Sequence, residues 1–184
     1  MRHFSDTFAL DEGRQRLCAK LIAEAGEFAH LHSARISCIA SQRALVDRGQ
    51  AVPGVVMVPF SEARSSAKRT LMDWLVAQFL KPLLGGEEAD FLFAFDVALW
   101  PDDATEQEHL VYHLLCHIEQ QHDDYGAPKF HRDGRPMLRL RNHDIERFES
   151  EIARYGSRIK GISDERGIYA QARAREQQQL RIAG

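Results

Sequence analysis

The apolar positions of the chain change period several times. In residues 11–30, DEGRQRLCAKLIAEAGEFAH, Leu17, Leu21, Ile22, Ala25 and Phe28 recur at three- and four-residue steps behind an acidic start, which predicts a first helix. ARISCIAS (34–41) alternates around Ile36, Cys38 and Ala40, and VVMVPF (55–60) is a short β-branched run after Pro53 and Gly54, so both predict strands. Helical spacing returns between Ser61 and Leu84 through Leu71, Trp74, Leu75, Phe79 and Leu80, then stops at Pro82 and the Gly85-Gly86 pair. DFLFAFDVALW (90–100), apolar and aromatic with acidic ends, predicts a strand buried in a sheet.

After Pro101, Thr105 and Glu108 form a T-x-x-E capping box ahead of an apolar helix that carries HLVYHLLCHIEQQ. Residues 123–141 hold Gly126, Pro128 and an Asp133-Gly134 turn, and predict a loop leading to a short strand or hairpin around Met137 to Leu140. From His143 to Tyr155, Ile145, Phe148, Ile152 and Tyr155 share one helical face, with Gly156 as terminator. No repeat or composition break divides the chain. The expectation is one α+β domain over residues 1–160, a short mixed or antiparallel sheet packed with helices, and a C-terminal polar helix or tail over 161–184.

Composition narrows the function classes. The 184 residues are 44% hydrophobic and 28% charged, enough apolar material for one compact domain. The 24 basic and 27 acidic residues leave a net charge of -3, so no global attraction to nucleic acid or to an anionic membrane exists. No apolar run reaches the roughly 20 residues of a bilayer span, and the start lacks a secretory signal, which predicts a cytoplasmic protein. The three cysteines, Cys18, Cys38 and Cys116, are odd in number and widely spaced, which predicts buried reduced thiols. P-loop, Rossmann glycine and G-x-S-x-G patterns are missing, which disfavours nucleotide and serine-hydrolase chemistry.

The candidate chemistry lies in the histidines. His109, His113, His117 and His122 crowd one short stretch, and His113 and His117 stand four apart, one helical turn above each other. Two imidazoles can grip one ion, but zinc prefers four tetrahedral ligands, so a further protein group is required. His143, at the start of the next predicted helix beyond the Gly/Pro loop, is the best candidate. Glu146, three residues on, could be a fourth ligand, an orienting partner or a base. The pair His109 and His113 has the same spacing but lies nearer the helix start, and His122, five positions past His117, falls on a different face, so His109 and His122 are read as bystanders. Two histidines at this spacing also occur in helices that bind nothing.

HLLCH, followed after a Gly/Pro loop by NHDIERFESEIARYG, resembles the phage metallopeptidase family, whose pattern has an H-E-L-C-H helix and a later H-D-V-E-E-F segment. The resemblance covers about residues 10–160. It implies a small zincin-like α+β domain with Zn2+ held by His113, His117 and His143. Cys116 also matches the pattern, and Asp144 and Glu146 fall on its acidic positions. The family's general-base glutamate falls on Leu114, where this chain departs. Leucine cannot take a proton from the attacking water or pass one to the leaving amine, and losing a positioned acid/base costs about 10² to 10⁴ in rate.

Glu146 is the one substitute base considered, because on a continued helix Glu119 would point about 200° away from His117. The reading is a phage-type, metallopeptidase-like zinc protein, catalytically impaired and acting as a metal-stabilised binding protein for a protein or peptide. The alternatives are an active peptidase using Glu146 or another carboxylate, and a metal-free protein binding a host protein or nucleic acid. For the last of these, KFHRDGRPMLRLR gathers Lys129, Arg132, Arg135, Arg139 and Arg141 near Phe130, while Asp123, Asp124 and Asp133 favour a merely solvated hairpin.

Overall fold

The computed structural model describes residues 7–47, 49–59, 84, 89–141 and 149–155. The helix expected between Ser61 and Leu84, apart from Leu84 itself, the first part of the helix expected from His143, and the tail expected over 161–184 lie outside these residues.

The chain opens with β1 (Phe8–Leu10), then α1 (Glu12–Glu24) and a 3-10 turn (Gly26–Leu31). Asp11 caps α1 by accepting from the Arg14 N–H at 2.8 Å. The first helix expected to reach residue 30 therefore stops six residues sooner: at Ala25 the backbone turns extended before the 3-10 turn brings Phe28 and Leu31 into the core. β2 (Ile36–Ser41) follows, then a two-stranded hairpin of β3 (Leu45–Asp47) and β4 (Gln50–Val52), then β5 (Gly54–Met57) and β6 (Phe91–Asp96).

The main sheet has the order β1-β2-β6-β5 and is mixed, with β2 and β6 parallel and the outer two strands antiparallel to their neighbours. All six residues of β6 are buried, as a strand covered on both faces requires. Phe91, Phe93 and Phe95 face a core shared with Cys18, Leu21, Phe28, Leu31 and Cys38, whereas Leu92 and Ala94 face Ile39, Leu84 and Ala89 on the other side. Gln15 fixes α1 to the sheet: its amide donates to the Ile36 carbonyl at 2.7 Å, and its carbonyl accepts from the Cys38 N–H at 2.9 Å.

Asp96 turns the chain out of the sheet by accepting from the N–H groups of Leu45, Ala98 and Leu99. Then comes α2 (Ala104–Cys116), and here two expectations fail. The cap is Asp103, which accepts from the Thr105 and Glu106 N–H groups, so the T-x-x-E box is not formed and Glu108 instead accepts from the Tyr155 hydroxyl. The helix also ends at Cys116 rather than continuing through Gln121. His117 is its C-cap, and β7 (Ile118–Gln120) pairs antiparallel with β8 (Leu138–Leu140). The hairpin between them turns at Gly126 and Gly134, whose φ values of 82° and 84° place them in the left-handed region. The last described element is α3 (Glu149–Tyr155), packed on α2.

The class is therefore α+β, with a short mixed sheet as expected. The three cysteines are buried free thiols. Among the described residues no helix is long and apolar enough to cross a membrane.

Candidate metal centre

α2 presents His109, His113 and, at its C-cap, His117. Because His117 keeps a right-handed helical backbone (φ -70°, ψ -13°), the one-turn relation to His113 survives the end of the helix, and the two rings meet edge to face with centroids 5.0 Å apart.

Each ring is held through Nδ1. His117 Nδ1 donates to the Arg141 carbonyl at 2.9 Å, and His113 Nδ1 donates to Glu151 Oε2 at 2.9 Å. A carbonyl can only accept, so His117 carries its proton on Nδ1, and the ionised Glu151 imposes the same tautomer on His113. Nε2 is then the nitrogen each imidazole can offer to a metal. Histidine ligands in metal sites show this arrangement, with the second nitrogen donated to a carboxylate or a main-chain carbonyl.

Glu151 is fully buried and its other oxygen, Oε1, is bonded to His109 Nε2. Burial pushes its carboxyl up, but the hydrogen bonds to His109 and His113 outweigh that and hold it well below the ordinary carboxylate range. His109, read from the sequence as a bystander, is thus part of the structure around His113, and its ring also packs against Tyr155 at 5.1 Å. Sequence reasoning missed Glu151. The signal was present, since residues 148, 151, 152 and 155 form an i, i+3, i+4, i+7 stripe in which a single carboxylate replaces an apolar residue.

Other groups hold the frame. Arg141 closes the hairpin: its N–H donates to the His117 carbonyl at 2.8 Å and its Nε to the Cys116 carbonyl at 2.9 Å. The Cys116 thiol lies 3.3 Å from the Ser150 hydroxyl, and burial, partly offset by that contact, pushes it up to about 12, so it remains a thiol at neutral pH. Tyr112 donates to Glu27 and Tyr155 to Glu108, and the Arg154 guanidinium lies over both tyrosine rings.

Leu114, at the position following His113, is 2% exposed and belongs to the core cluster of Phe93 and Phe95. Gly54 of the edge strand β5 comes so close that a Cβ there would stand 3.2 Å from Leu114 Cδ1. Glu119 is on β7 rather than on a helix, and is paired with Arg139 at 2.7 Å. His143, Asp144 and Glu146 lie outside the described residues, and within the described residues no three His, Cys, Asp or Glu side chains converge as a metal-ion cluster. His122 and His131 fall on the hairpin at some remove in sequence from the His113–His117 pair.

Over residues 7–172 the chain matches the family described as "putative phage metallopeptidase". The chain belongs to this family. Membership in the phage metallopeptidase family implies a metal ion, and the tautomers imposed on His113 and His117 suit imidazole coordination. No curated protein and no solved structure matches the chain.

Proposed function

We propose that this member of the phage metallopeptidase family binds one zinc ion through His113, His117 and His143, has lost most or all of its hydrolytic activity, and works as a metal-braced binding protein. The carrying observation is the pair of Nδ1 hydrogen bonds, from His113 to Glu151 and from His117 to the Arg141 carbonyl, which prepares Nε2 of both rings for a metal. When bound, zinc would polarise a substrate carbonyl and activate water; hydrolysis would still need a proton acceptor and donor beside it.

Leu114 offers neither, and it is built into the apolar core. Glu151 does not replace it, because its two oxygens bond His109 and the Nδ1 side of His113, away from the nitrogen offered to the metal. Two observations favour a protein or peptide partner over nucleic acid. Arg135 and Arg139 are paired with Asp133 and Glu119, which locally offsets two of the hairpin's five cations. A cleft of about 600 Å³ at the hairpin is lined by Val58, Phe91, Met137 and Leu138 together with polar groups such as Asp90 and Arg135, a mixture suited to a peptide.

Metal quantification on the purified protein, with a thermal melt in the presence and absence of a chelator, tests the first part. About one equivalent of zinc and a lower melting temperature after chelation are expected; no metal and an unchanged melt would overturn the metal reading. An assay against an unfolded protein substrate tests the second part. No cleavage is expected from the native chain, whereas cleavage abolished by Glu146→Gln would establish the active-enzyme alternative.

A further inference from the structure

We infer that His109 and Glu151 act together as a positioning unit for the metal ligand His113, with Glu151 fixing the tautomer and ring orientation and His109 fixing Glu151. The inference rests on the metal-site reading above.

Three features distinguish this pair from a chance buried contact. First, Glu151 is 0% exposed, a location where an unpaired carboxylate would be strongly disfavoured, so it needs charged or strongly donating partners. Second, both partners are imidazoles one turn apart on α2, and the carboxylate of α3 spans them with one oxygen each. Neither ring can rotate about χ2 without breaking its bond to Glu151. Third, the neighbouring glutamates are engaged elsewhere: Glu108 accepts from Tyr155 and Glu27 accepts from Tyr112. They serve the packing of α2 against its neighbours, whereas Glu151 serves the histidines.

If Glu151 merely held α3 to α2, an apolar residue in this stripe would do so more cheaply in desolvation. A buried carboxylate aimed at Nδ1 of a ligand histidine adds something packing cannot: it keeps the proton on Nδ1 and fixes the orientation of the ring, and with it the direction of Nε2. Removal of such a partner typically costs about 10- to 100-fold in metal affinity. His109 makes the carboxylate's position a matter of two bonds rather than one, so that its loss should weaken metal binding as well, by about the lower figure.

The test is titration of Co2+, and of Zn2+ in competition with a chromophoric chelator, into the metal-stripped full-length chain. It is paired with nitrogen-15 NMR of the imidazole tautomers before metal addition. Expected results are a Co2+ absorption band typical of tetrahedral coordination in the wild type, and affinity lowered about 10- to 100-fold in Glu151→Gln and about 10-fold in His109→Asn. The control Glu27→Gln, which disturbs α2 packing at Tyr112 and leaves the histidines alone, should keep wild-type affinity. In the metal-free protein the His113 proton should sit on Nδ1, and should distribute over both nitrogens in Glu151→Gln.

Wild-type affinity in both Glu151→Gln and His109→Asn would overturn the inference while leaving the metal site standing. A wild type that binds no metal would overturn the metal reading, and the NMR tautomers would still report whether Glu151 orients His113. Should Glu151→Gln fail to fold, His109→Asn, which keeps the carboxylate, decides the question.

Discussion

At the scale of single residues, the most informative contact is between Leu114 and Gly54. A leucine directly after His113 could have been a surface residue in a cleft. Instead its side chain fills the space between α2 and the edge strand, and Gly54 supplies the room, since a Cβ there would crowd both Leu114 Cδ1 and Phe95 Cδ1 at 3.2 Å. Gly54→Ala should destabilise by about 1–3 kcal/mol through overpacking. Leu114→Ala should cost about 2–5 kcal/mol through the cavity it leaves. In the double variant the new methyl enters part of that cavity, so the combined loss should fall short of the sum by about 0.5 kcal/mol or more. Urea unfolding of the four proteins measures this; strict additivity would mean that the two side chains do not share the space.

At the scale of elements, the strands were the most legible. DFLFAFD reads as a buried strand because every position is apolar up to its acidic ends, and the structure covers both faces of β6. The end of α2 was not legible, because Ile118 continues the helical stripe and Glu119 to Gln121 suit a helix equally well. What decides it is non-local: Ile118, Glu119 and Gln120 find β partners in Leu140, Arg139 and Leu138, some twenty residues away, as no local propensity could report. The helix start was misread for a simpler reason. Asp103 and Thr105 are both capping residues, and the sequence motif with Glu108 favours the wrong one, whereas the Asp103 carboxylate receives two N–H groups, at 2.8 and 3.1 Å. Asp103→Ala should therefore lose about 0.5–2 kcal/mol, and Thr105→Ala no more than about 0.5 kcal/mol. Equal losses in thermal melts, or a larger loss for Thr105, would restore the capping box.

At the scale of the whole molecule, the two strands of the central parallel pair are tied at their starts by Asp90, just before β6, and Arg35, just before β2. The Arg35 Nη2 and main-chain N–H each reach the carboxylate at 2.8 Å. Burial pushes the Asp90 carboxyl up, and the Arg35 hydrogen bonds and charge outweigh it, leaving it below the ordinary range. A carboxylate whose folded value is depressed contributes stability above its unfolded value, about pH 4, and loses that contribution as the pH falls through the folded value. Asp90→Asn should thus be less stable than wild type at neutral pH, with the gap narrowing in acid. Denaturant midpoints between pH 7 and about pH 2.5 read this directly, and a gap that stays constant would show that the charge is irrelevant.

The family was legible from HLLCH and the later NHDIERF segment, and its model match extends over residues 7–172. The Glu151 bridge was hidden because it depends on how α3 crosses α2, a relation absent from either segment taken alone.

Arg141 gives the molecule one more property. The chain leaves the centre at His117 and returns to the same place at Arg141, where a main-chain bond of 2.8 Å and the bond of 2.9 Å from His117 Nδ1 to the Arg141 carbonyl close the circuit. Residues 121–137 are an excursion from that anchor with main-chain bonds of their own, and doubling the length of such an excursion costs only about 0.6 kcal/mol in closure entropy. The hairpin is thus a replaceable part: its length and sequence can drift, and with them whatever it contacts, while the histidine at its root stays in place.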